Sequence, residues 1–211
     1  MTKTRHIGLI AALSIGLMGT AHAQSTSVDA TATPVYTTTP LVLTGTRALS
    51  FGEVNIPNGT EEGHKCQYDL GVAPIDAYGS LRELDETGSS AAFGAPTPSG
   101  CNWGSSGTFS GEFSVFEVSC NPASSIDFTP NWTNGVATGM ELATPTLTSI
   151  GAFSDDGFTD LLIEGNSFGV SATCPEKGSL YVAIGGRLRV DETAVAGTDV
   201  LIGTVTLDAT Y

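Results

Sequence analysis

An all-β protein, folded as an antiparallel β-sandwich, is the fold class this sequence predicts, and three observations carry the prediction. Segment after segment in the second half of the chain alternates apolar and polar residues at period two. Turn signals recur between those segments, among them Asn121-Pro122, Asn134-Gly135, Asp156-Gly157 and the run Pro175-Glu176-Lys177-Gly178. No sustained helical period competes, the best helical stretch being a single turn at residues 81–84. Short strands at such spacing are the pattern of a sandwich rather than of a parallel sheet.

Taken in order, the chain opens with a signal-peptide pattern: Lys3 and Arg5, the apolar run 7–18, then Ala21-His22-Ala23. Residues 1–23 are therefore expected to be removed. The run is shorter than the roughly 20 apolar residues a spanning helix needs. Residues 24–46 read as an N-terminal extension in which Val28, Ala30 and Ala32 alternate with Asp29, Thr31 and Thr33. Pro34 and Pro40 keep this stretch at an edge or in a loop. Two uses stay open for it: a flexible leader with an edge strand, or a donor strand that forms only on pairing with another molecule.

Residues 47–211 then form one β-sandwich domain. Ala48-Leu49-Ser50-Phe51-Gly52-Glu53-Val54 reads as its first strand, closed by the Asn58-Gly59 turn. Two short strand pieces are expected within residues 65–84, followed by a long Gly-, Ser-, Ala- and Pro-rich loop at 85–107. Residues 108–120 carry apolar side chains on both parities, so that strand is expected to be buried on both faces. Strands follow around 125–128, 140–147, 160–163, 167–174 and 179–190, with a turn at Thr129-Pro130-Asn131. The last strand is the clearest. Leu201, Gly203, Val205, Leu207, Ala209 and Tyr211 line one face, and Thr204, Thr206, Asp208 and Thr210 the other.

Charge narrows the partners. The chain holds 22 Asp and Glu against 8 Lys and Arg. Loss of Lys3 and Arg5 with the leader makes the balance more acidic still. Such a surface repels phosphate backbones and anionic headgroups, so neither nucleic acid nor direct membrane insertion is expected. Four cysteines in an exported chain favour disulfides. Of the three pairings available, Cys66–Cys101 and Cys120–Cys174 are preferred, each closing a loop of some tens of residues. Zinc is disfavoured because no C-x-x-C pair occurs and His64 is the single histidine after residue 23.

Catalytic chemistry has little material, and the chain is not expected to be an enzyme. His64 stands between Gly63 and Lys65 in a polar stretch and reads as a solvated surface group. No nucleophile elbow, phosphate-binding glycine loop or zincin helix is present, and no cofactor is expected. Adjacent acids such as Asp155-Asp156 point to opposite sides of an extended chain and do not converge as a dyad. The stretch 155–160 lacks the ligand spacing of a calcium loop, so its carboxylates read as turn groups. Trp103 and Trp132, set among Gly, Asn, Ser and Thr, carry an alternative reading in which exposed rings stack on a glycan.

Two regions carry a resemblance. Ala48-Leu49-Ser50-Phe51-Gly52-Glu53-Val54 resembles the Phe-Gly strand near the start of the DUF4402 domain, a family related to spore-coat-U-like and chaperone–usher pilins. Gly185-Gly186-Arg187-Leu188-Arg189-Val190, and then Gly203-Thr204-Val205-Thr206-Leu207-Asp208-Ala209-Thr210-Tyr211, are similar to that family's glycine pair and closing strand. The resemblance implies an immunoglobulin-like sandwich exported by a Gram-negative bacterium, in the periplasm, at the cell surface or outside the cell. It also implies a pilin-like subunit of a surface fibre, whose partners are copies of itself or other subunits, with a periplasmic chaperone and an usher. Val28, Ala30, Ala32, Val205, Leu207, Ala209 and Tyr211 would then form a strand-exchange interface. The competing expectation is a self-complete secreted adhesin or glycan-binding module.

Overall fold

A computed structural model describes residues 40–58, 63–74, 76–93, 99–145, 148–166 and 168–211, without the side chains of 90–93. The chain divides into two units, Met1–Tyr36 and Thr37–Tyr211, and the described residues all belong to the second. The signal-peptide pattern and the expected donor positions Val28, Ala30 and Ala32 lie outside them.

The described residues form thirteen strands and no helix, in three antiparallel sheets. The central sheet is ordered β1 (Val42–Arg47), β5 (Ser114–Ser119), β11 (Ser179–Ile184), β8 (Ile150–Phe153), β9 (Leu161–Gly165). A small sheet holds β10 (Val170–Thr173), β6 (Ser125–Asn134) and β13 (Gly203–Thr210). The outer sheet is ordered β4 (Ser90–Phe93), β3 (Ala77–Leu84), β2 (Lys65–Val72), β12 (Gly186–Asp191), β7 (Met140–Ala143).

Strand alternation makes the central sheet two-faced. Val115 of β5 and Ala183 of β11 pack with Tyr68, Leu70 and Leu188 of the outer sheet. Their strand neighbours Val118, Leu180, Val182 and Ile184 pack the other way, with Ile126, Phe128 and Ala172 of the small sheet. This is the double burial expected of residues 108–120. The sandwich thus has a second apolar layer, and the two disulfides are shared between the layers. Cys66–Cys101 lies in the first cluster and Cys120–Cys174 in the second, the pairing preferred from the sequence.

The glycine pair makes the crossing between layers. Residues 179–190, expected as one strand, are β11 and β12, which change sheet at Gly185. A methyl group on Gly185 would stand 2.0 Å from the Leu70 carbonyl oxygen, so only glycine lets the corner close onto β2. Gly185→Ala is accordingly expected to lower unfolding free energy by about 2–3 kcal/mol in urea titrations. Gly186 is the seat of the other stretch singled out from the sequence. A Cβ there would meet Leu49 at 2.6 Å and Phe51 at 3.3 Å.

Several boundaries differ from expectation. Residues 48–54 make one bridge, Ser50 to Glu112, instead of a strand, because Gly52 takes a left-handed backbone at φ 66°. β1 falls almost wholly within the stretch read as an extension, with Leu41 and Leu43 packed on the core. Residues 81–84 belong to strand β3, the second of the strand pieces expected within 65–84, whereas β4 interrupts the long loop at 85–107. β6 runs straight through Thr129-Pro130-Asn131. Proline is tolerated there because β10 ends its pairing opposite Phe128, leaving Pro130 with β13 alone to satisfy. Near residues 140–147, 160–163 and 167–174 the strands are shorter or shifted, as β7, β9 and β10.

Candidate functional site: a groove between two strand edges

Among the described residues, β1 pairs with β5 alone and β13 pairs with β6 alone. The unpaired edges of these two strands, one from each sheet enclosing the second core, flank a cavity of about 500 Å³. It is lined by residues 45–49 on one side and 201–205 on the other, with Ser114, Phe116 and Leu142 between them. Inward-facing Val205, Leu207 and Ala209 of β13, with Leu41, Leu43 and Phe116 opposite, pack against the core yet stay partly exposed. On β13 the outward threonines and Asp208 are exposed, as the alternation requires.

The two edges run in opposite directions. Val42, at the start of β1, is paired with Ser119, and Tyr211, just past the end of β13, accepts a hydrogen bond at its hydroxyl from the Asn121 backbone N–H at 3.0 Å. The start of one strand and the end of the other therefore meet at the same corner, next to Cys120. An extended segment laid into the groove would be parallel to one wall and antiparallel to the other. At mid-groove, Gly45 carries no side chain above the Phe116 ring, which a Cβ there would touch at 3.8 Å.

Of the residues expected at an exchange interface, the structure brings Val205 into the groove wall and sets Leu207 and Ala209 further along the same face. Tyr211 is 55% exposed and serves as a tether to Asn121 rather than as an apolar plug. Leu49, Phe116, Leu142, Leu201 and Ile202 belong to the site although sequence reading gave them no role there. The odd-numbered run Leu41, Leu43, Gly45 was the available signal, hidden by the prolines before it.

Neither tryptophan ring is freely exposed. Trp103 is 5% exposed, with Tyr68 and Phe109 edge-on to it at 4.9 Å each. Trp132 sits on β6, not in a loop, and its indole N–H donates to the Gly185 carbonyl at 3.0 Å. Tyr68 itself is buried, and that burial pushes its phenol up to about 12.

His64 is a second departure. It is not solvated: its side chain is 19% exposed, and Nδ1 lies 2.7 Å from Oε1 of Glu83, itself 2% exposed. In the 154–160 turn, Asp155 accepts from the Asp160 and Thr159 backbone N–H groups and from the Thr159 hydroxyl. These bonds, the Asp160 N–H foremost, hold its carboxyl below the usual range. The carboxylate is thus spent on the turn. No cluster of three metal-ligating side chains occurs among the described residues.

Two intramolecular disulfides fit an oxidising, exported compartment. No helix among the described residues is long and apolar enough to cross a membrane. Comparisons with protein-family models, with curated proteins and with solved structures found no match to this chain.

Proposed function

We propose that the chain is an exported structural subunit that assembles by β-strand addition, its groove between β1 and β13 receiving an extended segment of another copy. The observation that carries this reading is the pair of facing edges, unpaired among the described residues, over a half-covered apolar floor. Backbone groups on both walls would gain hydrogen-bond partners, and alternate side chains of the guest would complete the second core. The guest is the stretch around Val28, Ala30 and Ala32, whose small apolar residues at every second position suit the shallow floor at Gly45. A chaperone holding the same edges before assembly, and an usher, are consistent partners.

The test is a truncation with rescue. Purified residues 24–211 are expected to form linear multimers under the electron microscope, whereas residues 40–211 stay folded and monomeric. A synthetic peptide of residues 24–39 should then bind the truncated chain and raise its Tm in a concentration-dependent way. Leu207→Lys should abolish that binding. Assembly that survives the truncation sinks the donor role.

A further inference from the structure

We propose that His64 and Glu83 form a pH-operated latch over the buried Cys66–Cys101 disulfide, closed when the imidazole is protonated and weakened when it loses that proton. The placement follows from strand register. Glu83 on β3 is directly opposite Cys66 on β2, on the face that packs into the first core. His64 precedes Cys66 by two residues, so it shares that face and closes the end of β2 onto Glu83.

The latch stands beside the disulfide and the loops that seal it. Cys66 and Cys101 are both fully buried. Ser99, also fully buried, has its hydroxyl 3.3 Å from the Cys101 sulfur. The Asn58 backbone N–H donates to the Ser99 carbonyl at 2.7 Å, and Asn55 donates to the Asn102 carbonyl at 3.1 Å. These bonds tie residues 55–58 to residues 99–102, which carry Cys101.

The charges around the imidazole favour its protonated form. Glu83 faces it from β3, and Asp85 from the following turn is close enough for the two charges to interact. Glu86 approaches the preceding residue, with its Cβ 3.0 Å from where a Cβ on Gly63 would stand. The cations nearby, Lys65 and Arg82, lie at alternate positions whose register partners are on the opposite face of the sheet. A buried carboxylate loses favourable interaction when the imidazole beside it is neutralised, because the low-dielectric interior screens charge weakly.

Linkage sets the sign and the size. An imidazole that titrates higher in the closed corner than in the open one stabilises closure below the ordinary value near 6.5, and that contribution is lost as pH rises through the higher value. Each unit of difference makes opening about tenfold easier at the alkaline limit. The pair therefore converts an external pH change into exposure of one disulfide.

His64 is the only histidine after residue 23, so one imidazole resonance in residues 24–211 reports it. The experiment combines its NMR titration with the rate at which a water-soluble phosphine reduces each disulfide between pH 6 and 10. Reduction of Cys66–Cys101 is expected to accelerate with the His64 midpoint, by about ten raised to the imidazole shift, relative to Cys120–Cys174 in the same molecule. Glu83→Gln should return the imidazole to about 6.5 and flatten the relative rate. His64→Gln provides a second flat profile should Glu83→Gln fold poorly. An imidazole that titrates at its ordinary value in the intact protein overturns the latch, as does an unchanged relative profile in His64→Gln.

Discussion

Asp69→Ala is expected to lower the unfolding free energy by about 3–5 kcal/mol. Asp69 lies on β2 with its side chain fully buried, and Arg187 on β12, 8% exposed, brings Nε to 2.6 Å from Oδ1. Gln67 donates from Nε2 to the second carboxylate oxygen at 2.8 Å. Removing the carboxylate takes from a buried guanidinium the opposite charge 2.6 Å from its Nε, and that loss is the source of the large effect. Replacing both partners with apolar residues, Asp69→Leu together with Arg187→Met, is expected to be close to neutral or stabilising. Urea unfolding of the single and double variants separates the two outcomes. A loss in the single variant below about 1 kcal/mol would show that the pair is adequately hydrated.

Removal of the Cys120–Cys174 disulfide is the second large effect. The bond closes a separation of 54 residues, and loop-closure entropy puts its worth at about 4 kcal/mol. Cys120→Ala with Cys174→Ala should show that loss in urea unfolding of the purified chain. The consequence reaches the groove, because Cys120 follows β5 of the central sheet and Cys174 follows β10 of the small sheet. The bond sets the distance between the sheets whose edges form the groove walls. Peptide 24–39 is therefore expected to bind the double variant of residues 40–211 more weakly than the oxidised parent, by fluorescence anisotropy. Equal affinity would mean that the core alone holds the walls apart.

Much of the fold was legible because β-structure writes its period into local sequence. The closing strand shows this best. Alternation at 203–210 reports which side chains face a core, and the burial of β13 follows it residue by residue. The double burial of residues 108–120 was legible for the same reason, in apolar residues on both parities. Where local signals misled, a distant partner had overridden them. Pro130 and Asn131 carry turn chemistry, yet eight consecutive pairs with β13 hold them extended. His64 sits among polar neighbours in sequence, yet register brings it to Glu83, nineteen positions away.

The sequence by itself determined the strand class, the sides on which the strands are apolar, and an even set of cysteines suited to an oxidising compartment. Each depends on residues close along the chain or on composition. Only the tertiary structure decided that Gly185 carries one extended run from sheet to sheet, and that Leu49 and Phe51 rest on Gly186. It alone set the edges of β1 and β13 facing each other. Strand order and edge exposure depend on which segments meet across tens of residues to more than a hundred, and no periodicity within a strand encodes its neighbour.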